Sequence, residues 1–129
     1  MTFRARWAVL GTMSALLLAA CAAMPAAPAR IGDTELGRAL VDGNGMTLYY
    51  VDDDQPDKST CYSLCARHWP PLVAMAGASA TGAWAITPRD DGMPEWAYKD
   101  RPLYTYFKDA KPGDATGDGV GEIWHIARP

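Results

Sequence analysis

The chain lacks most of what usually announces a chemistry. Its 129 residues contain no G-x-S-x-G elbow, no H-E-x-x-H pair, no P-loop and no dinucleotide-binding glycine fingerprint. Those absences remove the sequence grounds for naming an enzyme, and no catalytic residue is expected. Positive charge is not in excess either: 12 Lys and Arg stand against 15 Asp and Glu, for a formal net charge of −3. A nucleic-acid binder should present a basic face, so no nucleic-acid partner is expected. Histidine and cysteine are scarce, at 2 and 3, which leaves little material for a metal site. Amphipathic helical periodicity is missing outside the N-terminus. What is present is a folded chain's composition: 49% hydrophobic, 21% charged, with 5 Trp and 6 Tyr. A disordered chain would be less aromatic and more charged. The length fits one domain.

The N-terminus reads as an address. Arg4 and Arg6 precede an apolar run from Trp7 to Ala20, too short for a comfortable bilayer span and suited to a signal-peptide core. Leu18-Ala19-Ala20-Cys21 resembles the bacterial lipobox. That resemblance implies a signal peptide over residues 1–20, cleavage before Cys21 and acyl chains (palmitate among them) on Cys21. Several chains on one residue hold a protein firmly to a membrane. Ala22 stands where an inner-membrane retention signal would have Asp, so the expected place in a Gram-negative envelope is the outer membrane, facing the periplasm. Residues 21–30 form an Ala/Pro tether, and residues 31–129 the folded domain. In an exported protein the remaining pair, Cys61 and Cys65, is expected to form a disulfide closing a small loop.

The informative feature is an internal repeat. Leu48, Tyr49 and Asp54 recur in one register as Leu103, Tyr104 and Asp109, and the same register carries Trp69 onto Trp124. The copies span about 36–72 and 83–127. Both have the form strand, Asp-ended turn, loop, Trp. The segments Gly45 to Asp54, Cys61 to Leu72, Arg89 to Gly92, Trp96 to Tyr106 and Gly113 to Asp118 resemble the bacterial secreted-repeat lipoproteins, known by a Tyr-x-(Phe/Trp/Tyr)-x-x-Asp motif. Tyr104, Tyr106 and Asp109 fit the motif fully. Tyr49 and Asp54 fit it with Val51 in the aromatic position. The resemblance covers nearly the whole domain. It implies a lipoprotein, export and duplicated β-structure, and no reaction.

The pattern of strand formers and turns predicts an all-β fold, a small antiparallel barrel or sandwich of two duplicated units with pseudo-twofold symmetry. Expected strands cover 35–42, 46–51, 83–87, 95–98, 103–107 and 121–127. The turn Gly43-Asn44-Gly45 should fold 46–51 back on 35–42 as a hairpin. Cys61 to Arg67 should make one short helical turn. Alternation in the last strand puts Ile123 and His125 on one face, Trp124 and Ile126 on the other.

Two readings of the repeated residues stand side by side. Tyr49, Tyr104, Trp69 and Trp124 either form the shared core, with Asp54 and Asp109 capping turns, or line a cleft in which Trp69 and Trp124 contact a ligand. His68 and His125, near the ends of the copies, are the weak candidates for a copper-like metal or electron-transfer site with nearby methionines. No cofactor is expected otherwise. The acidic turns Asp52 to Asp57 and Asp109 to Glu122 lack the acid spacing of a calcium loop. The function expected is a lipid-anchored, non-catalytic envelope module that binds a protein, glycan or small ligand.

Overall fold

The computed structural model describes residues 1–2, 11, 15–18 and 27–129. Cys21 and the body of the tether lie outside the described residues. None of the described residues forms a helix long and apolar enough to cross a membrane.

The domain is all-β, in three small antiparallel sheets. Strands β1 (Arg30–Thr34) and β2 (Gly37–Val41) form a hairpin. Strand β3 (Tyr49–Val51) pairs with β7 (Trp124–Ile126), far away in sequence. Strands β4 (Trp84–Pro88), β5 (Pro94–Tyr98) and β6 (Arg101–Pro102) make the third sheet. The sheets do not close into a barrel. One helical turn, α1 (Leu64–His68), holds the second cysteine of the Cys61–Cys65 disulfide, whose Cα atoms are 5.2 Å apart. A single 3₁₀ turn covers Val120–Glu122.

The hairpin prediction in the first copy needs correction. The main partner of residues 37–41 is β1, which begins inside the stretch read as tether. The chain does turn at Gly43 to Gly45 and returns alongside, with Asp42 N–H donating to Met46 O at 2.9 Å and Leu48 N–H to Leu40 O at 3.0 Å. It then leaves for β7, because Tyr49 and Val51 are apolar on the face that Trp124 and Ile126 cover. The predicted strand 103–107 shrinks to single bridges from Tyr104 to Tyr49 and to Pro71. Pro102 and Pro71 lack the N–H groups a longer ladder needs.

The two halves are related by a pseudo-twofold axis, and the backbone hydrogen bonds show it. Tyr49 and Tyr104 exchange reciprocal bonds of 2.8 and 2.9 Å, as a residue pair on the axis must. Ala127 N–H donates to Leu48 O, and Leu72 N–H to Leu103 O, both at 2.8 Å. Asp52 N–H to Ile123 O matches Phe107 N–H to His68 O. The last strand of each copy therefore lies against the first half of the other, so the copies are interlaced rather than stacked.

Candidate functional site

The axis runs through the aromatic core. Trp69 and Trp124 stack in parallel with ring centroids 3.7 Å apart. Tyr49 meets Trp69 edge-on at 5.4 Å, and Tyr104 meets Trp124 edge-on at 5.3 Å. Both tyrosines are wholly buried, and both tryptophans are 5% exposed. Trp69 and Trp124 thus offer no face to a ligand, and the ligand-contact reading of them is replaced by a core role. The second motif position obeys the same geometry: Val51 lies opposite Trp124 in the ladder, and Tyr106 stacks on Trp69 at 4.1 Å. Either an aliphatic or an aromatic side chain covers a tryptophan there. Gly117 has no room for more, since a Cβ would sit 2.8 Å from Trp69 and 2.9 Å from Tyr49.

The tyrosine and aspartate of the motif pair across the axis, each with the other copy. Tyr49 Oη donates to Asp109 Oδ2, and Tyr104 Oη donates to Asp54 Oδ2, both at 2.6 Å. The other oxygen of each carboxylate accepts a threonine's backbone N–H and hydroxyl: Thr60 on Asp54, Thr116 on Asp109. Each Asp therefore closes its own turn and locks the partner copy's ring. Burial, reinforced by the acidic groups around them, pushes both phenols well above their ordinary range, so both stay protonated and donate.

A second buried network is built on an ion pair that only the second copy has. Arg89 and Glu95 form an ion pair at 3.0 Å with neither side chain exposed. Arg89 also donates to Ser59 Oγ, to Cys61 O and to Asp91. Ser59 Oγ accepts from Arg89 and from Cys61 N–H, so its own proton goes to Tyr104 Oη, 2.5 Å away. Glu95 Oε2 is buried without a partner among the described residues. Burial pushes the Glu95 carboxyl up to about 8, against the pull of Arg89. Nothing in the sequence pattern marks this pair; its register opposite Thr87 in the β4–β5 hairpin brings it inward.

The histidines have different neighbours. His68 stacks on Phe107 at 4.4 Å, whereas His125 lies 2.8 Å from Asp52 and 5.2 Å from the Tyr50 ring. No group of three or more His, Cys, Asp or Glu side chains converges among the described residues. The acidic turns spend their oxygens on the backbone: Asp114 accepts from Ala110 and Lys111, and Asp118 from Ile126.

The open feature is a cleft of about 530 Å³ beside the β3–β7 ladder, within the range of small-ligand sites, roughly 300–1,000 Å³. Tyr50, Tyr98, Lys99, Arg101, Asp118, His125 and Arg128 line it, and Asp118 accepts the Ile126 N–H. Tyr50 and His125 lie on the side of the ladder away from the tryptophans, where Tyr50 packs at the margin of a smaller buried cluster of Leu40, Leu48, Leu103 and Ala127. The Arg101 guanidinium carbon sits 4.0 Å from the Tyr50 ring centre, a cation–π contact. Lys99 leans on Tyr98 at 5.1 Å. Arg128 donates to the backbone carbonyls of Arg38 and Leu36. Sequence reading missed this cleft, apart from His125. The signal that could have found it is a comparison of the two copies at the positions where they disagree.

No curated protein and no solved structure matches the chain. A family model described as a secreted repeat of unknown function matches twice, over residues 31–73 and 85–128. The two matches coincide with the two halves that interlace about the axis, and together they take in most of the chain: it belongs to this family of secreted repeats.

Proposed function

We propose that the chain is a non-catalytic binding module of the bacterial cell envelope, tethered to a membrane through lipid on Cys21. The observation that carries the binding reading is the contrast between the motif and the cleft. The motif's tyrosines, tryptophans and aspartates are spent on the core and its turns, while the cleft presents rings and cations to solvent. The carboxylates that a paired-acid hydrolase would use are each held by a tyrosine and a threonine, which favours binding over catalysis. The anchoring reading rests on Arg4, Arg6, the apolar run and Leu18 to Cys21, and it agrees with the family's secreted character.

Two measurements test it. Cys21→Ser should move the protein from the membrane fraction to the soluble one; unchanged fractionation removes the anchor. A photo-crosslinking residue at Tyr50 should trap a partner or ligand in living cells, while the same residue at Thr105, its mate position across the axis, should not. Equal or absent labelling at both positions would count against the cleft as a binding face.

A further inference from the structure

Because the halves share a backbone, each position can be read against its mate. The repeated hydrogen bonds and the bridge between Val41 and Thr47, matched by Ala97 with Pro102, set the correspondence. Tyr50 corresponds to Thr105, His125 to Pro70, Arg128 to Val73, Arg101 to Met46 and Tyr98 to Asp42. Facing inward, the motif's tyrosine and aspartate and the stacked tryptophan are retained between copies. Around the cleft, every ring and every cation is replaced on the mate face. That face folds without them, so the fold does not require them.

The rim of the cleft carries a strained turn. Lys99 and Asp100 join β5 to β6 with φ of 49° and 67°, the left-handed region that favours glycine or asparagine. The first copy closes the matching corner with Gly43, Asn44 and Gly45, and Gly45 takes the positive φ of 83°. In the second copy the surroundings hold the strain: Lys99 N–H donates to Ala83 O, and Asp57 N–H to Asp100 O, both at 2.9 Å. The result sets an ammonium at the mouth of the cleft. Backbone strain of this kind collects at ligand-binding elements.

The chemistry offered is specific. Lys99, Arg101 and Arg128 have no carboxylate within ion-pair distance among the described residues, although the chain is acidic overall. Arg101, stacked on Tyr50, is held in place with its N–H fork unspent, and a guanidinium fork matches carboxylate or phosphate. The hydroxyls of Tyr49, Tyr62 and Tyr104 have partners, whereas those of Tyr50 and Tyr98 have none among the described residues. Past Tyr50 and Arg101 the surface turns acidic, with Asp52, Asp54 and Asp100. A ligand lying here needs its anion at one end and hydroxyl donors at the other.

We infer that the cleft binds an acidic saccharide, its carboxylate or phosphate held by Lys99, Arg101 and Arg128 and its ring laid against Tyr50 and Tyr98. This deepens the binding-module reading and rests on it. The cations supply the attraction and the choice of charge, and the tyrosines with Asp52 and Asp100 engage the sugar hydroxyls.

The test titrates the full chain, purified from membranes in neutral detergent, with digalacturonic acid, glucose 6-phosphate and maltose. At least one acidic sugar should bind about tenfold tighter than maltose or better, and which one does so tells carboxylate from phosphate. K99N/R101M keeps a residue suited to the left-handed turn and installs the mate's methionine, so the fold should survive; an unchanged melting curve checks this. That variant should bind the acidic sugars no better than maltose, while Thr105→Ala on the mate face should leave binding unchanged. Equal affinity for maltose, or full affinity in K99N/R101M, overturns the acidic-saccharide inference and leaves a binding module of other specificity. No binding of any of the three at millimolar concentration also overturns it, and the Tyr50 cross-linking then decides separately whether the cleft binds anything.

Discussion

Tyr49 and Tyr104 occupy the same place in two copies and do the same work. Tyr50 and Thr105, one residue further on, share a backbone position and have nothing in common. Successive residues of a strand face opposite ways, so Tyr49 and Tyr104 turn to the tryptophan core on the axis, while Tyr50 and Thr105 lie on the other side, at the margin of the smaller buried cluster of Leu48 and Leu103. On the inner side, a change in one copy must fit against its own mate, because Trp69 packs on Trp124 and each Tyr bonds the other copy's Asp. At the half-exposed positions Tyr50 and Thr105 no such bond to the other copy is made, and the copies have diverged into a cationic aromatic cleft and a face without rings or cations. Duplication here supplies a scaffold twice and a candidate site once.

The strongest test of this contrast is the tryptophan stack. Trp69→Ala or Trp124→Ala should each cost about 3–5 kcal/mol, and the two costs should be similar. Urea melts read this directly; a large inequality would show that the core symmetry is only geometric.

The Arg89–Glu95 pair breaks the inner symmetry and gives the next largest effect. Its mates are Thr34 and Ala39, so one copy carries a buried ion pair where the other carries small side chains. Arg89→Met should cost about 3–5 kcal/mol by leaving Glu95, Ser59 and the Cys61 carbonyl without a buried hydrogen-bond donor, whereas Thr34→Ala, at the mate position, should cost much less. The pH dependence has a definite sign. The folded carboxyl sits at about 8, above its ordinary value of 4.5, so the folded state holds a proton that the unfolded state has released. Glu95's contribution is full below about 4.5 and is lost as the pH rises through 8. Thermal melts should therefore show a loss between pH 5 and 8 that Glu95→Gln flattens. The opposite slope from this residue would mean that Arg89 keeps Glu95 ionised.

The trans-paired carboxylates come third. Asp54→Asn and Asp109→Asn should each cost about 1–3 kcal/mol, since the amide cannot accept from both the tyrosine and the threonine groups. Asp109 is the more buried and should show the larger loss. The smallest effect belongs to the outer face. Arg101→Met should change stability by less than about 0.5 kcal/mol, as an exposed substitution away from the core. A larger loss would show that the cleft residues serve the fold after all.

Much of the inner half was legible in the sequence. The register of Tyr, Asp and Trp exposed the duplication, and the alternation in the last strand grouped Trp124 with Ile126 on one face, which is the buried one. The exported cysteine pair forms its disulfide. Asp54 and Asp109 were readable as turn caps, because each takes the N–H of a nearby threonine. What could not be read is that each Asp also serves the tyrosine of the other copy. A motif with Tyr and Asp five positions apart suggests a local pair, and only interlacing makes it a reciprocal one. The partner of residues 46–51 was misread for a related reason: local turn chemistry at Gly43 to Gly45 is strong, yet the pairing of β3 with β7 is long-range and outweighs it.

By itself, then, the sequence determined the repeat, the strand-forming character, the disulfide pair and which aromatic residues belong together, because these follow from local patterning and from matching side chains. The tertiary structure decided who pairs with whom. It brought Arg89 to Glu95 and Ser59, turned Trp69 and Trp124 from candidate contacts into core, and gathered Tyr50, Tyr98, Lys99, Arg101 and Arg128 onto one face. Those outcomes depend on contacts between residues far apart along the chain, whose geometry is set by the twofold axis and not by any local pattern.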